Sequence, residues 1–92
     1  MLLYLVTYDI PCNRRRKKVS DILEGYGRRV QYSVFECRLP AKKYREMRQR
    51  LLKLIDPEED GFRVYPISGH TVEQIEIWCG SPLTEFPAST II

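Results

Sequence analysis

Two stretches of this chain repeat apolar residues at helical spacing, while its other apolar runs are short and rich in β-branched and aromatic residues. That alternation leaves few folds open. In the first stretch, Val19, Ile22, Leu23 and Tyr26 fall at i, i+3, i+4 and i+7, one stripe of a helix over 13–26. The second is clearer. Tyr44, Met47, Leu51, Leu54 and Ile55 form the stripe of a helix over 41–55, and Lys42, Arg45, Arg48, Arg50 and Lys53 decorate the rest of its surface. Asn13 suits the first helix as an N-cap and Gly27 as a C-terminal stop. The acidic turn Asp56-Pro57-Glu58-Glu59-Asp60-Gly61 cannot continue the second helix.

Strand formers fill the remainder. Leu2 to Tyr8 reads as a buried strand, and Asp9-Ile10-Pro11-Cys12-Asn13 as the turn after it. Residues 29–39 read as one long strand whose alternation slips: Val30, Tyr32 and Val34 share a face, then Phe35, Cys37 and Leu39 take the other. A slip of that kind predicts a bulge or bend near Val34 and Phe35. Residues 62–67 make a third strand, with Pro66 suited to an edge. After the turn Ser68-Gly69-His70, Val72 to Cys79 makes a fourth. The simple order is β-α-β-α-β-β; it becomes β-α-β-β-α-β if the long strand serves as two. Either way the fold class is an α+β sandwich, one mostly antiparallel sheet with two helices on one face.

Ninety-two residues suffice for one domain with a modest core, and 43% apolar with 29% charged residues argues against disorder. The domain spans 1–80, and Gly80-Ser81-Pro82 breaks the chain into a tail over 81–92. The tail closes on Ile91 and Ile92, which fit an edge strand on this sheet or on a partner's. The apolar opening reaches Asp9 far short of the roughly 20 residues of a membrane span, and no basic segment precedes it as in a signal peptide. Cys12, Cys37 and Cys79 are odd in number and widely spaced, matching neither a disulfide framework nor a metal knuckle; free thiols in a reducing cytoplasm are the expectation.

The net charge of +3 conceals an asymmetry. Residues 1–53 carry 14 Lys/Arg against 5 Asp/Glu, whereas from residue 54 onward Arg63 stands alone against 7. A basic half points to a polyanion. Arg14-Arg15-Arg16-Lys17-Lys18 sits at the start of the first helix, where cations oppose the macrodipole, so helix stability does not explain it. Phosphate contact does, Arg as a bidentate fork and Lys as a point charge, and Arg28 and Arg29 extend the patch. The ordinary alternative is a solvated helix face. The run also circles more than one turn, so its five cations cannot all meet one ligand.

Asp9 is the sharpest catalytic candidate. A carboxylate at a strand end can hold Mg²⁺ through one or two oxygens while the ion keeps its waters, although Asp also commonly just turns a chain. One carboxylate is too few, and Asp21 and Glu24 read as the solvated side of a helix. A two-fold axis near Asp9 would bring in a second copy. Tyr8 is a packing residue or, less readily, a platform for a base. Ser33 has no base near it, and His70, the only histidine, lies in a turn. There is no Gly-rich phosphate loop, no His-x-x-x-His and no Gly-x-Ser-x-Gly.

Tyr8-Asp9-Ile10 after an apolar strand, a basic first helix, and the string Arg29-Val30-Gln31-Tyr32-Ser33-Val34-Phe35-Glu36 together resemble the CRISPR-associated protein 2 family over nearly the whole chain. The resemblance implies a ferredoxin-like fold and a homodimer whose C-terminal strand crosses to its partner. It implies two roles: a metal-dependent endonuclease acting on RNA or double-stranded DNA, and a subunit that joins the integrase CRISPR-associated protein 1 and holds spacer DNA during adaptation. On this chain the family's metal-binding aspartate, shared by both protomers, falls on Asp9 and its neighbouring tyrosine on Tyr8. The basic positions fall on Arg16, Lys18 and Arg29, and the strand aromatic near the interface on Phe35. Lys18 stands where Arg is frequent, and Pro11-Cys12-Asn13 replaces a more acidic turn. Three readings follow: a Mg²⁺-dependent phosphodiesterase, a non-catalytic DNA-holding adaptor, and a ferredoxin-like regulatory domain for a small ligand.

Overall fold

The computed structural model describes residues 1–85. The elements run β1 (Leu2–Asp9), α1 (Asn13–Glu24), β2 (Arg28–Gln31), β3 (Val34–Leu39), α2 (Ala41–Leu52), β4 (Gly61–Ile67) and a single helical turn, α3 (Gly69–Val72). One antiparallel sheet carries the order β2-β3-β1-β4. The ferredoxin-like arrangement is therefore reached by the route in which the long second strand serves as two. The phase slip is a hairpin turn at Tyr32–Ser33, with a register irregularity between Arg29 and Gln31 beside it. A flat strand would have exposed either Val30 or Phe35; the turn lets Phe35, Cys37 and Leu39 all face inward.

The inner face is built by alternation. Tyr4, Val6 and Tyr8 of β1 stand beside Cys37, Phe35 and Phe62 across the ladders, over Val19, Leu23 and Tyr26 from the first helical segment and Met47 and Leu51 from α2. Tyr4 stacks on Tyr44 at 4.0 Å, binding sheet to α2. The Tyr26 hydroxyl donates to Glu46 at 2.6 Å and accepts from Arg50 at 3.1 Å, joining the end of the first helical segment to the second helix.

Several sequence expectations shift. Cys12, not Asn13, is the N-cap, and its carbonyl accepts from the Arg16 N–H at 2.9 Å; Asn13 is already helical. The first helix ends at Glu24 on a right-handed Gly25 cap. Gly27 is thus not a left-handed stop. It is required by proximity: a Cβ there would meet the Glu36 carbonyl and Cys37, with Cys37 Cα at 2.8 Å. Helix α2 stops at Leu52, and Leu54 and Ile55 continue its apolar side in the turn that follows. Pro66 does lie on an edge strand.

The predicted strand over 72–79 is absent. Ser68 caps α3 by accepting from the Thr71 N–H, and residues 73–79 have no regular structure. A strand needs a ladder partner, and among the described residues this segment pairs with none. Ile77 and Trp78 are left 44% and 89% exposed. The tail begins by turning back: Thr84 is buried against the outer face, its N–H and Oγ1 bonded to Glu36 at 3.1 and 2.7 Å. Ile91 and Ile92, expected at an interface, lie outside the described residues. Among the described residues no helix is long and apolar enough to cross a membrane.

Candidate nucleic-acid interface

Alternation along β1 divides its last two residues between opposite faces. Tyr8 points inward and Asp9 outward. Asp9 is exposed, opposite Gly61 in the ladder, in a cavity of about 300 Å³ that Thr7, Phe62 and Arg63 help to line. It is a hard oxygen donor open to water. Among the described residues no three His, Cys, Asp or Glu side chains gather as a metal site, so a single chain offers one carboxylate.

Tyr8 does not serve as a platform for a base. Its ring is 6% exposed and is enclosed by Phe35 and Phe62, with centroids at 6.3 and 6.1 Å. Burial pushes its hydroxyl pKa up, against the pull of Arg29. Phe35, expected near an interface, is fully covered by its own chain; it supports Tyr8 from below and carries the Arg29 guanidinium 5.3 Å from its ring centre.

The five-cation run separates into different tasks. Arg15 is not available to phosphate: its Nε and Nη2 donate to both oxygens of Asp60 at 2.7 and 2.8 Å. Asp60, whose side chain is 1% exposed, also accepts from the Asp56 N–H. The Arg15 fork holds the Asp60 carboxyl below its usual range, and the carboxylate in turn raises the Arg15 pKa. Arg16 folds back, donating to the Ile10 carbonyl at 2.7 Å and to Asn13. Lys17 pairs with Asp21 at 3.1 Å. Arg14 and Lys18 are exposed and stand outside these pairs.

Arg16, Lys17 and Arg29 are brought together, lining one groove between α1 and the β2–β3 turn. Asp9 lines a different cavity from Arg16 and Arg29. Reading the sequence passed over two residues beside these sites. Arg63, the lone cation of the acidic half, shares the Asp9 cavity, and period-two reading of residues 61–67 against β1 would have found it. Tyr32 borders the groove, and no signal short of the turn itself places it there.

Comparison with known proteins agrees with this geometry. The family model for CRISPR associated protein Cas2 matches residues 1–75. A relative from Synechocystis sp., CRISPR-associated endoribonuclease Cas2 3, is 56% identical over 92 residues, covering 100% of both chains. The crystal structure of Streptococcus pyogenes Cas2 at pH 6.5 superposes with a TM-score of 0.72 at 30% identity, covering 84% of this chain and 99% of that one. A chain of a partial Cas6-RT-Cas1–Cas2 complex superposes equally well, TM-score 0.72 at 30% identity over 85% of this chain and 91% of that one. With sheet order, basic first helix and strand-end aspartate all in place, the chain belongs to the CRISPR-associated Cas2 family.

Proposed function

We propose that this protein is a CRISPR endoribonuclease that works as a homodimer, with Asp9 of each copy facing the other. The observation that carries the reading is the position of Asp9: a solvent-open carboxylate on the sheet face opposite α1 and α2. That face carries Leu5, Val34 and Tyr65 with only partial cover, Tyr65 at 44% exposed. The outer edge of β4 and the segment after α3 each lack a ladder partner among the described residues. Exchange of that segment between copies answers both needs. The endoribonuclease name of the Synechocystis relative supports RNA as the substrate.

Asp9 would hold a divalent cation. A hard oxygen donor open to water fits Mg²⁺, which is commonly held by one or two carboxylates and otherwise keeps its waters. When bound, such an ion supplies Lewis-acid stabilisation of a phosphate and acidifies water. The chain's own cations do the rest. Arg63 stands beside Asp9 for the scissile phosphate, and Arg14, Lys18, Arg16 and Arg29 hold flanking ones.

Cleavage of labelled single-stranded RNA and double-stranded DNA in Mg²⁺ tests this, wild type beside Asp9→Asn. The substitution abolishes RNA cleavage and leaves the melting temperature and RNA affinity unchanged; cleavage that survives it overturns the nuclease.

A second reading has its own support: one carboxylate per chain is a sparse catalytic set, and a structural relative sits in a Cas1–Cas2 assembly. As an adaptor alongside a Cas1 integrase, the protein needs its basic surface and not Asp9. Spacer integration then persists in Asp9→Asn and stops in a variant with Arg14→Glu and Lys18→Glu.

A further inference from the structure

Tyr32 has no task in the reading above, yet its placement is specific. Its side chain is 70% exposed at the tip of the β2–β3 turn, whereas Tyr4, Tyr8 and Tyr26 are each 6% exposed. The tip is not remote from the carboxylate. The Tyr8 N–H donates to the Ser33 carbonyl at 3.1 Å, which ties the turn to β1 one residue before Asp9.

Between Tyr32 and α1 lies a groove of about 440 Å³ walled by Arg16, Lys17, Asp21, Glu24 and Arg29. That volume falls within the roughly 300–1,000 Å³ of small-ligand sites. Its charge is mixed, three cations against two carboxylates, with Lys17 3.1 Å from Asp21 and Arg29 3.5 Å from Glu24. A track for a duplex backbone meets phosphates in series, and carboxylates there only repel. Carboxylates do have a use against a base edge, where they accept from exocyclic amino groups as Asp and Glu do from cytosine. Arg16 is held in place by the Ile10 carbonyl and Asn13, so its remaining N–H groups are oriented before any ligand arrives. Exposed aromatic ring, oriented cations and base-edge acceptors are together the requirements of one nucleotide whose base is unpaired.

We propose that Tyr32 and this groove bind a single unpaired nucleotide, the base stacked on the Tyr32 ring and its phosphate on Arg16 and Lys17. The site holds one nucleotide at the β2–β3 turn, in a cavity separate from that of Asp9, and a duplex, whose bases are already stacked and paired, offers it none. The inference rests on the reading of the protein as a nuclease, and it names the residue on which one base of the substrate is held.

The test is binding, measured by fluorescence anisotropy with wild-type protein, Tyr32→Phe and Tyr32→Ala, in chelator so that nothing is cut. The probes are a short single-stranded RNA and a duplex of the same length, plus a single strand carrying 2-aminopurine, whose emission falls on stacking. Tyr32→Ala weakens single-strand binding on the order of tenfold, the range of one lost base–aromatic stack. It leaves duplex binding unchanged and abolishes the 2-aminopurine quench; Tyr32→Phe keeps both. The proposal is overturned if Tyr32→Ala binds the single strand as wild type does, if it loses strand and duplex alike, or if wild type binds no single strand. Failure of the nuclease reading looks different: the Tyr32 dependence persists in chelator, and no cleavage appears when Mg²⁺ is restored.

Discussion

Cys12 and Cys37 carry the same thiol in opposite surroundings. Backbone N–H groups at the start of α1, that of Arg15 foremost, lower the Cys12 pKa, while burial in the core pushes Cys37 up to about 12. The thiolate is the reactive form. Alkylation of folded protein at neutral pH, followed by mass spectrometry, therefore labels Cys12 and the exposed Cys79 and spares Cys37 until denaturant is added. Gly27 makes a second prediction at this scale. Gly27→Ala forces a Cβ into the Glu36 carbonyl and Cys37, and it destabilises by about 1–3 kcal/mol in urea titrations, as overpacking does. Single residues were also where sequence reading fell short. Asp9 was legible because a carboxylate ending an apolar strand is visible in one dimension. Tyr8 beside it reads as packing first and as a platform for a base second, and its enclosed ring keeps only the packing role. Arg15 could not be told from its four neighbours, since its partner Asp60 lies 45 residues away.

At the level of elements, that pair is a clamp between α1 and the turn before β4, and Gly61, next to Asp60, is the ladder partner of Asp9. The folded-state pKa of Asp60 lies below its unfolded value. Its contribution is therefore complete above the ordinary carboxylate range, near pH 4, and is lost as pH falls through the lowered value. Asp60→Asn lowers the melting temperature at pH 7, and its gap from wild type narrows as the pH drops below about 4. A gap independent of pH would mean that the ionic pair is not what holds the turn. The helices were legible from their stripes, to within a few residues of their ends. The hairpin was legible only as a fault in alternation, because a two-residue turn without Gly, Asn or Asp gives no chemical signal. The strand over 72–79 failed for a different reason. Periodicity reports which side chains want cover, not whether a ladder partner exists in the same chain.

The whole molecule has a covered face and a partly bare one. Trp78, the only tryptophan, is 89% exposed in the single chain. If copies exchange the segment that carries it, its emission shifts to the blue as protein concentration rises through the dimer dissociation constant; emission constant over that range would place the segment outside any interface. The basic half makes a prediction about salt. Affinity for single-stranded RNA falls with a log–log slope of about −0.7 per phosphate neutralised, whereas a regulatory domain for a small uncharged ligand shows a flat dependence.

The partly bare face also has a position in time. β4 completes the sheet at Ile67, but the Thr84 that lies against Glu36 comes 17 residues later. Until Thr84 is seated, a folding chain carries a finished sheet with its outer side uncovered, and chains released close together bring such sheets within reach of one another.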